Sequence, residues 1–202
     1  GLMVLPPYVY RGDWRETRGH FGAVFRATDL PCMLYNNPIA YGTDVRPEQL
    51  LELATEHPTL VAVKESSTDV RRITGIRALL GGRLAISVGV DDEIVEGVDA
   101  GATSWVAGLA NAFPDESVAL FRLAAAGRRS EAFDLYRWFL PLLRMDTSPK
   151  FVQLIKLMQA EMGHGTPRVR PPRLELEGEE HAQAMETLQL ALRTRPSTLS
   201  PT

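Results

Sequence analysis

The chain has 202 residues, of which 45% are hydrophobic and 23% are charged, a profile typical of a globular domain or of part of a larger one. Its net charge of -3 gives no reason to expect a nucleic acid or an anionic membrane as a partner. The single cysteine, Cys32, excludes an internal disulfide framework and is typical of a reducing compartment. Neither a signal peptide nor an apolar run near the ~20 residues of a membrane helix is present, so we expect a soluble, cytoplasmic protein.

Short apolar runs alternate with longer amphipathic segments along the first 127 residues. The predicted strands are 2–5, 31–35, 60–64, 83–88 and 103–107. The predicted helices are 14–27, 46–57, 70–80, 91–101 and 114–126. Apolar strands without alternation are buried on both faces, as parallel strands covered by helices are. The pattern therefore predicts an α/β fold built from strand–helix units.

After Gly127 the pattern is helical only. Predicted helices cover 130–144, 149–162 and 179–193, with a Gly-, Pro- and Arg-rich linker at 163–172. We therefore divide the chain into barrel residues 1–127, a three-helix module 128–195 and a disordered tail 196–202. The five strand–helix units are too few to close a (β/α)8 barrel, which needs eight. Because the chain also begins without Met, inside a predicted strand, we expect about three further units ahead of Gly1.

Two strand-end residues carry the candidate chemistry, since the active site of such a barrel lies at the carboxyl ends of its strands. Lys64 ends the third predicted strand and Tyr35 ends the second. An amine and a phenol that end neighbouring parallel strands open into one cavity, which is the arrangement that Schiff-base chemistry needs. The alternatives are a lysine that extends to solvent and a core tyrosine bonded to backbone.

Other strand-end residues are candidates for substrate binding. They are Tyr8, Asn36, Gly89, Val106 and Gly108. The glycines would let backbone approach a ligand closely, and Asn36 begins a turn that fixes its strand end. We interpret Asp91 and Asp92 as a helix cap and not as a catalytic pair.

The sequence predicts no metal or nucleotide site. The four histidines are scattered and form no ligand spacing with Cys32. Neither a phosphate-binding P-loop nor a G-x-G-x-x-G motif after a strand occurs.

Together these residues resemble the dihydrodipicolinate synthase / N-acetylneuraminate lyase family of (β/α)8 Schiff-base lyases. The motifs that carry the resemblance are Pro-Pro-Tyr at 6–8, Tyr-Asn-x-Pro at 35–38, Val-Lys-Glu-Ser at 63–66, Gly-Val-Asp-Asp at 89–92, and Gly-Ala-x-Ser through Asn at 101–111. The resemblance implies that Lys64 forms the Schiff base with a 2-oxo acid or a cyclic imine, and that Tyr35 relays protons. It also implies that no added cofactor is needed and that the protein is a homodimer or homotetramer.

The chain departs from the family pattern in three places. The family's Gly-(Thr/Ser)-x-Gly-Glu loop, which binds the substrate carboxylate, is absent from these residues, and we expect it to lie ahead of Gly1. Dihydrodipicolinate synthases also carry an arginine soon after the tyrosine, whereas residues 38–42 here read Pro-Ile-Ala-Tyr-Gly. Their second tyrosine corresponds to Val9. The resemblance therefore disfavours lysine biosynthesis.

The resemblance is closest to the 1-pyrroline-4-hydroxy-2-carboxylate deaminase branch. It rests on residues 7–10, 34–38, 105–114 and 170–174. This branch implies deamination and dehydration of that cyclic imine to 2,5-dioxopentanoate. Two alternatives stay open. One is a pyruvate-dependent aldolase, similar to dihydrodipicolinate synthase or to lyases of 4-hydroxy-2-oxo acids and sialic acid. The other is a catalytically silent barrel that binds 2-oxo acids.

Overall fold

Five short strands form one parallel sheet in the computed structural model, which describes residues 1–196. They are β1 (Leu2–Val4), β2 (Cys32–Asn36), β3 (Leu60–Glu65), β4 (Ala85–Val88) and β5 (Ser104–Trp105). Their order in the sheet, β1-β2-β3-β4-β5, is their order in the chain, and each neighbouring pair is parallel. The predicted α/β architecture is confirmed.

Helices connect these strands. They are α1 (Trp14–Arg26), α2 (Pro38–Tyr41), α3 (Pro47–Glu56), α4 (Arg71–Leu80) and α5 (Ile94–Asp99). Helix α1 begins at a capping box, in which the Asp13 side chain accepts from the Glu16 N–H and the Glu16 side chain accepts from the Asp13 N–H. The expected cap at 91–92 differs in detail. Asp91 and Asp92 lie in a 3-10 turn, and the N-cap residue of α5 is Glu93, whose side chain makes no capping hydrogen bond.

The chain divides into two compact units, the first ending at Val106 and the second beginning at Ala107. The second unit contains α6 (Pro114–Ala125), α7 (Arg129–Leu143), α8 (Phe151–Glu161) and α9 (Gly178–Arg193). Its core includes the rings of Phe113 and Phe139, which meet edge to face with centroids 5.8 Å apart. The predicted domain boundary at Gly127 stays a prediction, and the predicted tail 196–202 lies outside the described residues apart from Pro196.

The two faces of the sheet carry different side chains. Val88 faces the helices, because a Cβ built on Gly97 of α5 would lie 2.4 Å from Val88 Cγ2. Glu65 and Asn36 follow in register with Val88 across β3 and β2, so they share this helix-covered face. The opposite face therefore carries the alternate residues, which form the row Tyr35, Lys64, Ser87 and Ser104 across β2–β5.

No helix within residues 1–196 combines the length and the apolar character that crossing a membrane requires.

A substitution at Gly97 tests how closely α5 packs on the sheet. Although alanine favours a helix more than glycine does, we expect Gly97→Ala to lower the free energy of unfolding by about 1–3 kcal/mol, because the new methyl group would overlap Val88. The measurement is urea denaturation.

Gly19→Ala is the matched control, since it also replaces a glycine inside a helix but a Cβ there meets nothing within 4 Å. That variant should gain up to about 1 kcal/mol. A gain at both positions would contradict the close packing of α5 on β4.

Candidate active site

Tyr35 and Lys64 lie side by side on neighbouring strands. They are register partners in the parallel pairing of β2 and β3, so their side chains leave the same face of the sheet. The Lys64 Nζ lies 4.2 Å from the centroid of the Tyr35 ring, which is the geometry of a cation–π contact. Both residues are partly exposed. The structure therefore brings together the two residues that sequence reasoning selected as amine and phenol.

The ring of Tyr35 is held by residues of the following turn. Asn37 Nδ2 donates to the Tyr35 hydroxyl at 3.2 Å, while Asn37 Oδ1 accepts from Ala40 N and caps α2. The Tyr41 ring meets that of Tyr35 edge to face, with centroids 5.7 Å apart. Burial raises the pKa of Tyr41, and the neighbouring Tyr35 and Tyr8 add to the shift. Sequence reasoning missed Asn37 and Tyr41 as neighbours of the phenol.

The stem of Lys64 packs against Gly89 at the end of β4. A Cβ on Gly89 would lie 2.0 Å from Ser66 Oγ and 2.7 Å from Lys64 Cε, so only glycine fits beneath these two side chains. Gly89 was predicted to let backbone approach a substrate. In the structure Gly89 is buried against Lys64 and Ser66, and its approach to a substrate stays a prediction.

Asn36 and Glu65 join the same two strands from the helix-covered face. Asn36 Nδ2 donates to Glu65 Oε2 at 3.0 Å, and Asn36 Oδ1 accepts from Val45 N at 2.9 Å. Glu65 Oε1 accepts from Ser67 N at 2.7 Å. Asn36 is 1% exposed and faces away from Lys64, because successive side chains alternate along a strand. The geometry therefore gives no support to Asn36 as a substrate-binding residue.

The loop between α2 and α3 extends this hydrogen-bond network. Asp44 pairs with Arg72 of α4, with one N–O distance of 2.6 Å. Thr43 Oγ1 donates to the Pro7 carbonyl after β1 at 3.1 Å. The segments that follow β1, β2 and β3 are thus joined at the carboxyl end of the sheet.

Two carboxyl groups near this network have raised pKa values. Burial raises the pKa of Glu65, although hydrogen bonds from Ser67 and Asn36 and the charge of Arg72 oppose the shift. Burial also raises the pKa of Glu93 to about 7, and nearby carboxylates, Asp92 first among them, add to that shift. Both shifts favour the neutral form of the carboxyl group, and burial is the largest cause of each.

Three further residues, Tyr8, Val106 and Gly108, were predicted to bind substrate. Tyr8 is 63% exposed in the segment after β1 and contacts Tyr41, with ring centroids 5.7 Å apart. Val106 follows β5 and is 37% exposed, with its N–H donating to the Val88 carbonyl. Gly108 belongs to the second unit, where a Cβ would lie 2.2 Å from Asp146 Oδ1. Substrate binding by these three residues stays a prediction.

Within residues 1–196, no group of three or more His, Cys, Asp or Glu side chains is arranged to hold a metal ion.

The Asn36–Glu65 hydrogen bond is testable by exchanging donor and acceptor. We expect Glu65→Gln to lower the free energy of unfolding by about 1–3 kcal/mol. The amide that replaces the carboxylate can place its N–H donor opposite the N–H donor of Asn36, so that the hydrogen bond is lost. The double variant Asn36→Asp/Glu65→Gln restores an acceptor opposite a donor, and Arg72 offsets the carboxylate placed near Asp44.

Urea denaturation of both single variants and the double variant gives the coupling energy. We expect the double variant to recover about 0.5–3 kcal/mol relative to the sum of the single losses. Additive losses would show that the two side chains do not interact.

Residues 1–191 match the model of the dihydrodipicolinate synthetase family. An uncharacterized DapA-like lyase of Pyrobaculum arsenaticum is 31% identical over 143 residues, which are 71% of this chain and 48% of the relative. A 4-hydroxy-tetrahydrodipicolinate synthase of Clostridium perfringens strain SM101 is 32% identical over 151 residues, 73% of this chain and 52% of that protein. The chain thus spans about half the length of these curated relatives.

The structural comparison agrees with the sequence comparison. The 4-hydroxy-tetrahydrodipicolinate synthase of Methylacidiphilum fumariolicum SolV superposes with a TM-score of 0.89 at 27% identity, over 96% of this chain and 64% of that one. This confirms the predicted fold, strand–helix units of a (β/α)8 barrel followed by a helical module. With nearly its whole length matched by one family model, the chain belongs to the dihydrodipicolinate synthetase family.

Proposed function

We propose that the protein containing this chain is a Schiff-base-forming lyase that acts on a 2-oxo acid or a cyclic imine carboxylate. The observation that carries the proposal is the pairing of the Lys64 amine with the Tyr35 ring at 4.2 Å, on register-paired strand ends. Lys64 is the nucleophile and Tyr35 the proton relay. Family membership supports the reaction class. No added cofactor is needed, because the protonated Schiff base is itself the electron sink.

The substrate that we propose is 1-pyrroline-4-hydroxy-2-carboxylate. Lys64 attacks C2 of the cyclic imine, and departure of the ring nitrogen opens the ring and leaves an iminium on the enzyme. The iminium acidifies the C3 proton, which Tyr35 removes, and the C4 hydroxyl leaves as water. A proton shift turns the C5 amine into an imine. One water hydrolyses that imine to ammonia and an aldehyde, and a second releases 2,5-dioxopentanoate from Lys64.

The turn after Tyr35 supports this branch. Residues 38–42 contain no arginine, and the ring of Tyr41 lies against that of Tyr35. An aromatic neighbour suits a compact ring better than it suits a second carboxylate. Tyr8, Val106 and Gly108 are proposed as further substrate contacts. A homodimer or homotetramer and a cytoplasmic location stay predictions.

A second candidate function is a pyruvate-dependent aldolase, and the position of Arg11 favours it. A Cβ on Gly42 would lie 3.0 Å from Arg11 Nε, so this guanidinium packs against the end of the turn that contains Tyr41. Arg11 thus brings a cation from the β1–α1 segment to the turn where the synthases carry their arginine. Assays of the whole protein for ammonia release and for pyruvate release or consumption separate the two reactions.

Trapping with borohydride tests the nucleophile. We expect incubation of the whole protein with pyruvate and borohydride to leave a reduced adduct on Lys64, found by intact mass and peptide mapping. This chain has only three lysines, so the assignment within it is direct. Lys64→Ala should abolish the adduct.

The control for trapping is Lys156→Arg, which alters a lysine of α8 and should leave the yield of adduct unchanged. Folded wild-type protein without an adduct would exclude the lysine mechanism and support a silent barrel that binds 2-oxo acids.

Tyr35→Phe tests the proton relay while keeping the ring beside Lys64. We expect turnover to fall by about 100-fold or more, because the positioned acid–base group is lost, whereas the Lys64 adduct still forms at a lower rate. Ammonia release from the cyclic imine measures turnover. Tyr41→Phe is the matched variant and should keep most of the activity. Equal losses in both variants would argue that the Tyr35 hydroxyl has no special role.

A further inference from the structure

The hydroxyl of Ser66 is buried and has no hydrogen-bond partner among the described residues. Ser66 is 2% exposed, and its Oγ is out of contact with solvent. A buried hydroxyl without a partner is unfavourable, and folded proteins satisfy the large majority of such groups. Ser66 is therefore an exception among buried hydroxyl groups.

Ser66 lies on the same face as Lys64, two positions further along the chain. Its backbone N–H donates to the Asn36 carbonyl at 2.8 Å, and Gly89 N donates to the Glu65 carbonyl at 2.9 Å, so the parallel hydrogen bonding continues past the end of β3. Side chains two residues apart on such a strand point the same way. The Ser66 hydroxyl therefore leaves the sheet beside the lysine and not toward the helices.

Gly89 shows how close the two side chains are. Ser66 Oγ and Lys64 Cε lie 2.0 Å and 2.7 Å from the single point that a Cβ on Gly89 would occupy. Cε is the carbon that carries the reactive amine. The hydroxyl therefore lies beside the carbon that carries the amine.

The other serines of this face do not share this property. Ser87 Oγ and Ser104 Oγ are hydrogen-bonded to each other, and Ser104 Oγ also approaches the Ile86 carbonyl at 3.4 Å. Of the hydroxyls on the Lys64 face of the described sheet, the one beside the amine is thus the one left with a free donor and acceptor.

We propose that Ser66 is a further catalytic residue, whose hydroxyl hydrogen-bonds the oxygen on C2 of the carbinolamine formed at Lys64. This rests on the proposed Schiff-base function. With a 2-oxo acid such as pyruvate, this carbinolamine collapses as the C2–O bond breaks, the nitrogen lone pair forms the C2=N bond, and the oxygen takes a proton from Tyr35 and leaves as water. With the cyclic imine, the same carbinolamine forms when water adds to C2 in the final hydrolysis. The Ser66 hydroxyl donates a hydrogen bond to this departing oxygen, and it orients the returning water during hydrolysis.

The test compares the rate of adduct formation with stability in Ser66→Ala. Removing an unpaired hydroxyl leaves no partner unsatisfied, so we expect the thermal midpoint to stay the same or to rise. The rate at which pyruvate and borohydride produce the Lys64 adduct should fall by about 10-fold to 100-fold. A purely structural serine would not combine a slower reaction with unchanged or higher stability.

Two further variants sharpen the result. Ser66→Cys keeps the size of the side chain but is a weak donor, so it should also slow adduct formation. Ser104→Ala is the control on the same face and breaks an existing hydrogen bond, so it should lower the thermal midpoint and leave the trapping rate unchanged.

The outcomes separate the two proposals. Wild-type trapping with an unchanged rate in Ser66→Ala would overturn the role of Ser66 and leave the lysine mechanism intact. A Ser66→Ala protein that loses its fold would also overturn it, since the hydroxyl would then be structurally required. Absence of the adduct in the folded wild type would overturn both proposals.

Discussion

The buried carboxylate of Glu65 joins the two strands that carry the reactive side chains. It is 4% exposed, accepts hydrogen bonds from Asn36 of β2 and from Ser67 N, and lies next in sequence to Lys64. Burying a carboxyl group is unfavourable unless its oxygens are hydrogen-bonded, and the raised pKa of Glu65 reflects the remaining cost of desolvation. Because its hydrogen-bond partners come from the ends of both strands, the two strand ends are held relative to each other on the face opposite Lys64. Tyr35 and Lys64 are thereby held in register without a direct hydrogen bond between them.

On the face of the sheet that carries Lys64, close packing restricts the positions of the side chains. Gly89 supplies the room in which the Lys64 stem and the Ser66 hydroxyl lie, while Tyr41 and Asn37 limit how the Tyr35 ring can turn. A nucleophile and an acid–base group gain most from such restriction, since the entropy of positioning is lost during folding and not during the reaction. The two faces of β3 therefore have different roles. The helix-covered face carries a hydrogen-bonded polar network, and the opposite face carries incompletely paired polar groups.

Much of this arrangement was predictable from the sequence, because apolar runs mark buried strands and their last residues mark one end of the sheet. That reasoning placed Lys64 beside Tyr35. Alternation along β2 would also have turned Asn36 away from the site, and alternation along β3 would have pointed to Ser66. Other features had no local signal. Helix α2 is four residues long, too short for a periodic pattern to show where Tyr41 points. Glu65 contradicts the usual exposure of glutamate, and only the fold reveals its partners.

Strand β1 lies at one edge of the described sheet. Among the described strands it pairs with β2 alone, and Leu2 and Met3 on it are 39% and 47% exposed. An apolar groove of about 550 Å³ follows β1 and the adjoining helix α1 and is lined by residues including Leu5 and Val24. An unpaired strand edge beside exposed apolar side chains is a template for pairing between molecules. We therefore expect an isolated polypeptide of these residues to associate along this edge.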